Sequence, residues 1–254
     1  MQDKDKIIFT VNGTEIECKK GEMLLTVLLR EGFDIPHLCY HESVTPYASC
    51  RLCLVEVNRG NGFRIATSCN HPVFEGMEVK LNTEGVAEER KNVFEVLIAQ
   101  APESEKLRLY AAKWGVRETT YRIQEGDCIL CGLCERVCRE VIGASAITFA
   151  GRGANKELTT PYKVQSSSCI GCGACAYVCP TDSIKVFDKG FIREIPKLHA
   201  KFELVPCRIC GKPVTTKEHL EFLKKTKIEK ATLETCDECK KKEYAFLVAS
   251  QGHM

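Results

Sequence analysis

Seventeen of the 254 residues are cysteine, and their spacing is the first feature of the chain that could do chemistry. Most arrive in Cys-x-x-Cys steps, unlike the irregular intervals of a small secreted disulfide scaffold. Two cysteines that close together rarely bridge one another, but they wrap a metal corner readily. Metal ligation is the chemistry this pattern implies, and it divides into four sets.

The first set is Cys39, Cys50, Cys53 and Cys69, spaced C-x10-C-x2-C-x15-C. Three ligands lie on one stretch and the fourth arrives from further along. A [2Fe–2S] cluster needs four thiolates, two on each iron. Zinc usually takes two compact knuckles, and this set has only one. A long loop over a cluster also brings backbone N–H donors to its sulfurs, which raises the reduction potential. Ala48, Ser49 and Ser68 are small enough to permit that approach. Cys18, alone in an expected strand, reads as a small core residue. His37, His41 and His71 stand near these cysteines. Since four thiolates already suffice, they read as structural or potential-tuning groups.

The second and third sets come as two similar runs, C128-x2-C131-x2-C134-x3-C138 and C169-x2-C172-x2-C175-x3-C179-P180. This is the bacterial ferredoxin pattern, in which the fourth cysteine of each run ligates the other cluster. One [4Fe–4S] set is then Cys128, Cys131, Cys134 and Cys179, and the other is Cys169, Cys172, Cys175 and Cys138. Gly132, Gly171 and Gly173 would let the backbone approach the sulfides. Pro180 would turn the chain away after the last ligand.

The fourth set is Cys207, Cys210, Cys236 and Cys239, two knuckles separated by 25 residues. Four thiolates so arranged suit tetrahedral zinc. A rubredoxin-like single iron and a fourth iron–sulfur cluster are the alternatives. The lysines around the set (Lys224, Lys225 and Lys240 to Lys242) read as a solvated face.

These ligands need elements to place them. Residues 7–11 and 14–18 flank Asn12-Gly13, a strong hairpin signal. Residues 22–31 have helical periodicity, ended by Gly32. Short apolar runs at 54–57, 63–67 and 77–81 read as strands. The expected fold is α+β. A β-grasp [2Fe–2S] domain covers 1–83, and a helical linker covers 84–116, with Ser104 capping its second helix. A 2[4Fe–4S] ferredoxin domain covers 117–200, with brief strands at 146–149 and 184–187 and an inserted hairpin around 151–160. A zinc-ribbon-like four-cysteine tail covers 201–254, with a helix at 217–225.

Composition narrows the function. Lysine plus arginine number 36 against 34 acidic residues, a balance that argues against nucleic-acid binding by bulk charge. No run approaches the roughly 18 apolar residues of a membrane span. The first residues, MQDKDKIIF, lack a signal peptide's apolar segment. The expectation is a soluble, cytoplasmic protein. No Gly-x-Gly-x-x-Gly follows an expected strand, and no nucleophile–base constellation is visible, so the chain is expected to conduct electrons while partners catalyse.

The motif HLCYHESV, followed by SCRLCLVEV and TSC, resembles the N-terminal part of the large iron–sulfur subunit of respiratory complex I. It also resembles the small diaphorase subunit of NAD-linked hydrogenases, as found in electron-bifurcating hydrogenases and transhydrogenases. The likeness covers about residues 1–200. It implies a flavin- and NAD(P)-binding partner and at least one further redox subunit: a hydrogenase, a formate dehydrogenase, or a partner using soluble ferredoxin. Those relatives usually hold one more [4Fe–4S] cluster on one His and three Cys. Here residues 84–127 contain neither residue type, so that cluster is expected to be absent. Two other readings stand beside this one. The first is the iron–sulfur subunit of a succinate dehydrogenase or fumarate reductase-like complex, against which the x10 spacing speaks. The second is a non-catalytic redox sensor or assembly protein.

Overall fold

The computed structural model describes residues 6–225 and 230–251. Its chain forms two compact units. One runs to Val141 and takes back Val178–Ser183, and the other comprises Ile142–Tyr177 and the chain from Ile184 onward.

The first unit is built on a mixed five-stranded sheet. Strands β1 (Lys6–Val11) and β2 (Thr14–Lys19) form the expected hairpin, with Asn12 at φ 50° and Gly13 at φ 84°. Positive φ at both central residues gives the turn the twist of the strands it joins. The alternation along β1 buries Ile7, Phe9 and Val11. Helix α1 (Leu24–Arg30) covers that face with Leu24, Leu25, Val27 and Leu28. It ends where Phe33 N–H returns to the Leu28 carbonyl at 2.9 Å, past Gly32 at φ 81°. Strands β3 (Leu54–Asn58), β4 (Phe63–Thr67) and β5 (Glu78–Lys80) complete the sheet in the order β2-β1-β5-β3-β4. Only the β1–β5 pair is parallel.

Helices α2 (Glu84–Gln100) and α3 (Glu105–Lys113) follow, capped by the side chains of Thr83 and Ser104 as N-cap acceptors. They pack into the first unit: Arg90 of α2 reaches the Leu54 carbonyl of β3, and Phe94 meets Tyr110 edge-on at 5.9 Å. Phe94, Leu97, Ile98, Leu107 and Ala111 are buried, so this segment supplies apolar core. Helix α4 (Leu133–Arg136) continues into a π turn over Val137–Val141.

In the second unit, β6 (Thr148–Ala150) and β7 (Glu157–Thr159) make the expected inserted hairpin. Helix α5 (Ala174–Tyr177) follows the second cysteine run. Strands β8 (Phe187–Lys189), β9 (Ile192–Ile195), β10 (Ala200–Pro206) and β11 (Pro213–Thr216) form one antiparallel sheet. That sheet crosses position 200, where composition alone suggested a change of character. Helices α6 (Lys217–Leu223), α7 (Lys230–Leu233) and α8 (Asp237–Gln251) end the description. The helix expected over 217–225 thus stops two residues early. Among the described residues no helix is long and apolar enough to cross a membrane.

Candidate metal centres

Cys39, Cys50, Cys53 and Cys69 come together, all buried. Cys39 lies on the stretch after α1, Cys50 and Cys53 on the lead-in to β3, and Cys69 in the short turn after β4. Two bonds hold that turn in place: the amide and the hydroxyl of Ser68 both donate to the Cys53 carbonyl at 2.8 Å. The Cys39 thiol touches those of Cys50 and Cys69, and Cys53 touches Cys69. Cys39 Sγ also accepts N–H bonds from Ser49 and from Cys50, the latter at 3.4 Å. Ala48 and Arg51 sit at φ 54° and 59°, a left-handed conformation that side chains disfavour and that turns this backbone inward.

The electrostatics of this set are those of thiols short of cations. The Cys50 and Cys69 thiols, donating to Cys39, hold it far below the ordinary thiol range. Donation from Cys69 lowers Cys53 to about 7. The donors move the opposite way: Cys50 and Cys69 are both pushed well up, through those same bonds and burial. Two thiolates are favoured and two resisted, so full ionisation needs added positive charge.

Buried polar atoms answer whether an iron–sulfur cluster fits. Arg90 and Arg136 are each 4 % exposed, and neither forms an ion pair among the described residues. Each leaves its buried Nε without a partner. Burial lowers Arg90 to about 10, partly offset by the nearby Cys53 thiolate. Two desolvated cations beside four thiolates suit a ligand set whose net charge stays negative once iron is bound. Bound there, a cluster supplies reversible one-electron chemistry. The protein supplies the thiolates, the amide donors and the dry surroundings that set its potential.

The histidines near these cysteines have other partners. His37 Nδ1 faces the Ile35 carbonyl, His41 Nδ1 accepts the Ser43 N–H, and His71 Nε2 meets Arg59. Cys18 is buried on β2 in the apolar core.

Cys128, Cys131, Cys134 and Cys179 all belong to the first unit, Cys179 by way of the returning Val178–Ser183 segment. That segment is tied down by Ser104 and Lys106 of the α3 start: Ser104 Oγ donates to the Thr181 carbonyl at 3.0 Å, and Lys106 Nζ to the Cys179 carbonyl at 3.2 Å. Cys128 Sγ accepts the Leu130 N–H at 3.4 Å. Burial pushes the Cys131 thiol up to about 12, and the Cys179, Cys128 and Cys39 thiolates add to the shift. Cys131 thus feels thiolates of its own run and of the first set.

Cys169, Cys172 and Cys175 lie in the second unit, whereas Cys138 lies on the π turn of the first. In the second unit the cysteine loop rests on β9, β10 and β11. Thr216 Oγ1 donates to the Ile170 carbonyl at 2.5 Å, and Arg193 Nη1 to the Gly171 carbonyl at 3.0 Å. Arg193 is aligned by two 2.8 Å bonds to Asp188, and the Cys172 thiolate helps hold its proton. Gly171, at φ 65°, has no room for a side chain: a Cβ there would stand 2.7 Å from Phe202 and 2.8 Å from Thr216.

The four tail sulfurs, Cys207, Cys210, Cys236 and Cys239, lie within 4.8 Å of one another, close enough to share one ion. Cys207 and Cys210 occupy the turn between β10 and β11, closed by Cys207 N–H to the Lys212 carbonyl at 2.7 Å. Cys236 precedes α8 and Cys239 rides on its first turn. N–H bonds from Cys236, Cys210 and Ile209 lower Cys207 to about 6, while burial raises Cys239 to about 12.

Parts of this chain are similar to known proteins. The family model of the 2Fe-2S iron-sulfur cluster binding domain matches residues 4–84, and that of the 4Fe-4S dicluster domain matches residues 127–183. The NADH-ubiquinone oxidoreductase 75 kDa subunit of Reclinomonas americana is 30% identical over 175 residues, covering 59% of this chain and 25% of that protein. The mitochondrial NADH dehydrogenase [ubiquinone] iron-sulfur protein 1 of Solanum tuberosum is 26% identical over 182 residues, covering 62% and 24%. The chain therefore spans about a quarter of the length of the curated relatives it matches. A chain in the crystal structure of NAD+-reducing [NiFe]-hydrogenase in the H2-reduced state superposes with a TM-score of 0.58 at 28% identity, over 70% of this chain and 86% of that one. The chain carries a 2Fe-2S cluster-binding domain and a 4Fe-4S dicluster domain, and over 59% of its length it is similar to the NADH-ubiquinone oxidoreductase 75 kDa subunit.

Proposed function

We propose that the chain is the iron–sulfur electron-relay subunit of a multi-subunit NAD(P)-linked oxidoreductase. The observation that carries this reading is the buried convergence of Cys39, Cys50, Cys53 and Cys69 beside two desolvated arginines, in a chain that also bears a dicluster domain. Similarity to NADH-oxidoreductase and hydrogenase subunits supports an NAD(P)- and flavin-binding partner on one side of the relay. A ferredoxin, hydrogenase or formate dehydrogenase partner, with or without bifurcation of electrons between two acceptors, stands on the other.

In this reading Cys39, Cys50, Cys53 and Cys69 hold one [2Fe–2S] cluster. Cys128, Cys131, Cys134 and Cys179 hold one [4Fe–4S] cluster. The ligands of a second remain those the spacing gives: Cys169, Cys172, Cys175 and Cys138. The mixed sheet over α1 supports a β-grasp domain for the [2Fe–2S] site. The tail set takes zinc, supported by its hairpin knuckle and its one-ion dimensions.

Elemental analysis of anaerobically purified protein tests this directly. About ten iron, ten labile sulfide and one zinc per chain are expected, as one two-iron and two four-iron clusters require. About fourteen iron without zinc would reject the zinc tail. Isolation as a lone chain with full NADH-dependent activity would overturn the relay role.

A further inference from the structure

The helical segment carrying Cys134 and Cys138 also sends two side chains to the [2Fe–2S] loop. Glu140 Oε2 accepts the Thr45 N–H at 2.7 Å. Arg136 donates through Nη1 to the carbonyl of the same Thr45, and through Nη2 to the Cys39 carbonyl at 2.8 Å. Both backbone groups of Thr45 are therefore held by residues four apart on one segment. The π turn at Val137–Val141 begins between them and re-aims the side chains beyond it. The Arg136 guanidinium also lies 5.4 Å from the centre of the Tyr47 ring.

A purely structural clamp could be made from neutral groups at lower desolvation cost. Here the clamp is a cation, 4 % exposed, with a buried Nε that no group among the described residues satisfies. In sequence it stands between two cysteines of the dicluster domain, and in space it grips the backbone of a cysteine of the other domain.

We infer that Arg136 is a positioning residue belonging to both iron–sulfur sites: it locks the Cys39–Thr45 loop onto the Cys134 helix and places one buried positive charge between the two thiolate sets. The inference rests on the relay reading above. A cation in that position favours the more negative, reduced state of a cluster on either side and so raises both potentials. A rigid clamp fixes the separation of the two sites.

The test uses the full-length, cluster-loaded protein with Arg136→Met, Arg136→Lys and the control Arg152→Gln. Arg152 is exposed and stands on the turn between β6 and β7, in the second unit. Iron and sulfide content are measured first. Redox titrations followed by electron paramagnetic resonance then give the potentials and the spin relaxation of the reduced [2Fe–2S] signal. Arg136→Met is expected to shift the [2Fe–2S] signal and one [4Fe–4S] signal to lower potential and to slow the [2Fe–2S] relaxation, while Arg152→Gln matches the parent. Arg136→Lys keeps the charge but cannot span both carbonyls, so its relaxation slows while its potentials stay near the parent's. This variant decides the matter if Arg136→Met loses its iron. Unmoved potentials and relaxation in a loaded variant overturn the inference alone. A parent without the two cluster types overturns the relay reading, and this inference with it.

Discussion

Ser68 binds Cys53 twice: its amide and its hydroxyl both reach the Cys53 carbonyl at 2.8 Å, with both residues fully buried. The fourth cysteine of the first set is thereby fixed to the third through the backbone of the residue beside it. Ser68→Ala removes one of the two bonds and leaves the acceptor satisfied, so the expected cost is about 1 kcal/mol. Urea unfolding of the loaded protein would measure it, and the [2Fe–2S] spectrum should survive at moderate temperature.

Arg90 offers a separate handle on the same site. Its guanidinium bonds the Leu54 carbonyl and Asn82 Oδ1, within electrostatic reach of Cys53. Arg90→Met should lower the [2Fe–2S] potential while leaving the [4Fe–4S] signals in place, as read by redox titration. The lost charge-assisted bonds should also cost about 2 kcal/mol of unfolding free energy.

Two glycines make a contrast. Gly171→Ala would force a Cβ to within 2.7 Å of Phe202 as well as strain a φ of 65°. The expected result is a variant short of about four iron per chain, with the [2Fe–2S] signal intact. Gly211, at φ 73°, faces open space, so Gly211→Ala should cost only about 1 kcal/mol and keep the tail metal.

The tail should respond to pH once the proposed zinc is chelated. Cys207 is lowered to about 6, so the stability its thiolate contributes is present above the unfolded thiol value and lost as pH falls through 6. Cys239 is raised to about 12, so it contributes below the unfolded value and loses that contribution as pH climbs toward 12. Hydrogen exchange of the chelated tail should therefore show greatest protection near pH 9 and decline on both sides. In the metal-loaded protein this dependence should vanish until acid displaces the ion, and Cys210→Ser should release the ion without changing the iron count.

The cysteine register made the candidate sites legible, because metal geometry constrains spacing more tightly than any propensity does. The Asn12-Gly13 hairpin, α1, and the Ser104-capped α3 were equally plain, since turn and cap chemistry are local. The three arginines were not legible. Arg90, Arg136 and Arg193 look like any surface cation in sequence, and their placement depends on carbonyls up to 97 residues away. Strands β9 to β11 were missed for another reason. Lys201 and Glu203 give the stretch a charged character, while Ala200, Phe202 and Leu204 alternate with them and are all buried. The period of two was present in AKFELVP and was masked by a lysine-rich composition.

The first unit is not one continuous stretch of chain, because it needs Val178–Ser183 to be complete. During synthesis, Cys128, Cys131 and Cys134 emerge well before Cys179. At about 5–20 residues per second the interval lasts a few seconds. Throughout it the proposed first [4Fe–4S] set is three thiols open to oxidants and to the wrong metal. Under the proposed ligation, faithful loading is a problem of timing as much as of affinity, with the cluster delivered after the second cysteine run has left the ribosome.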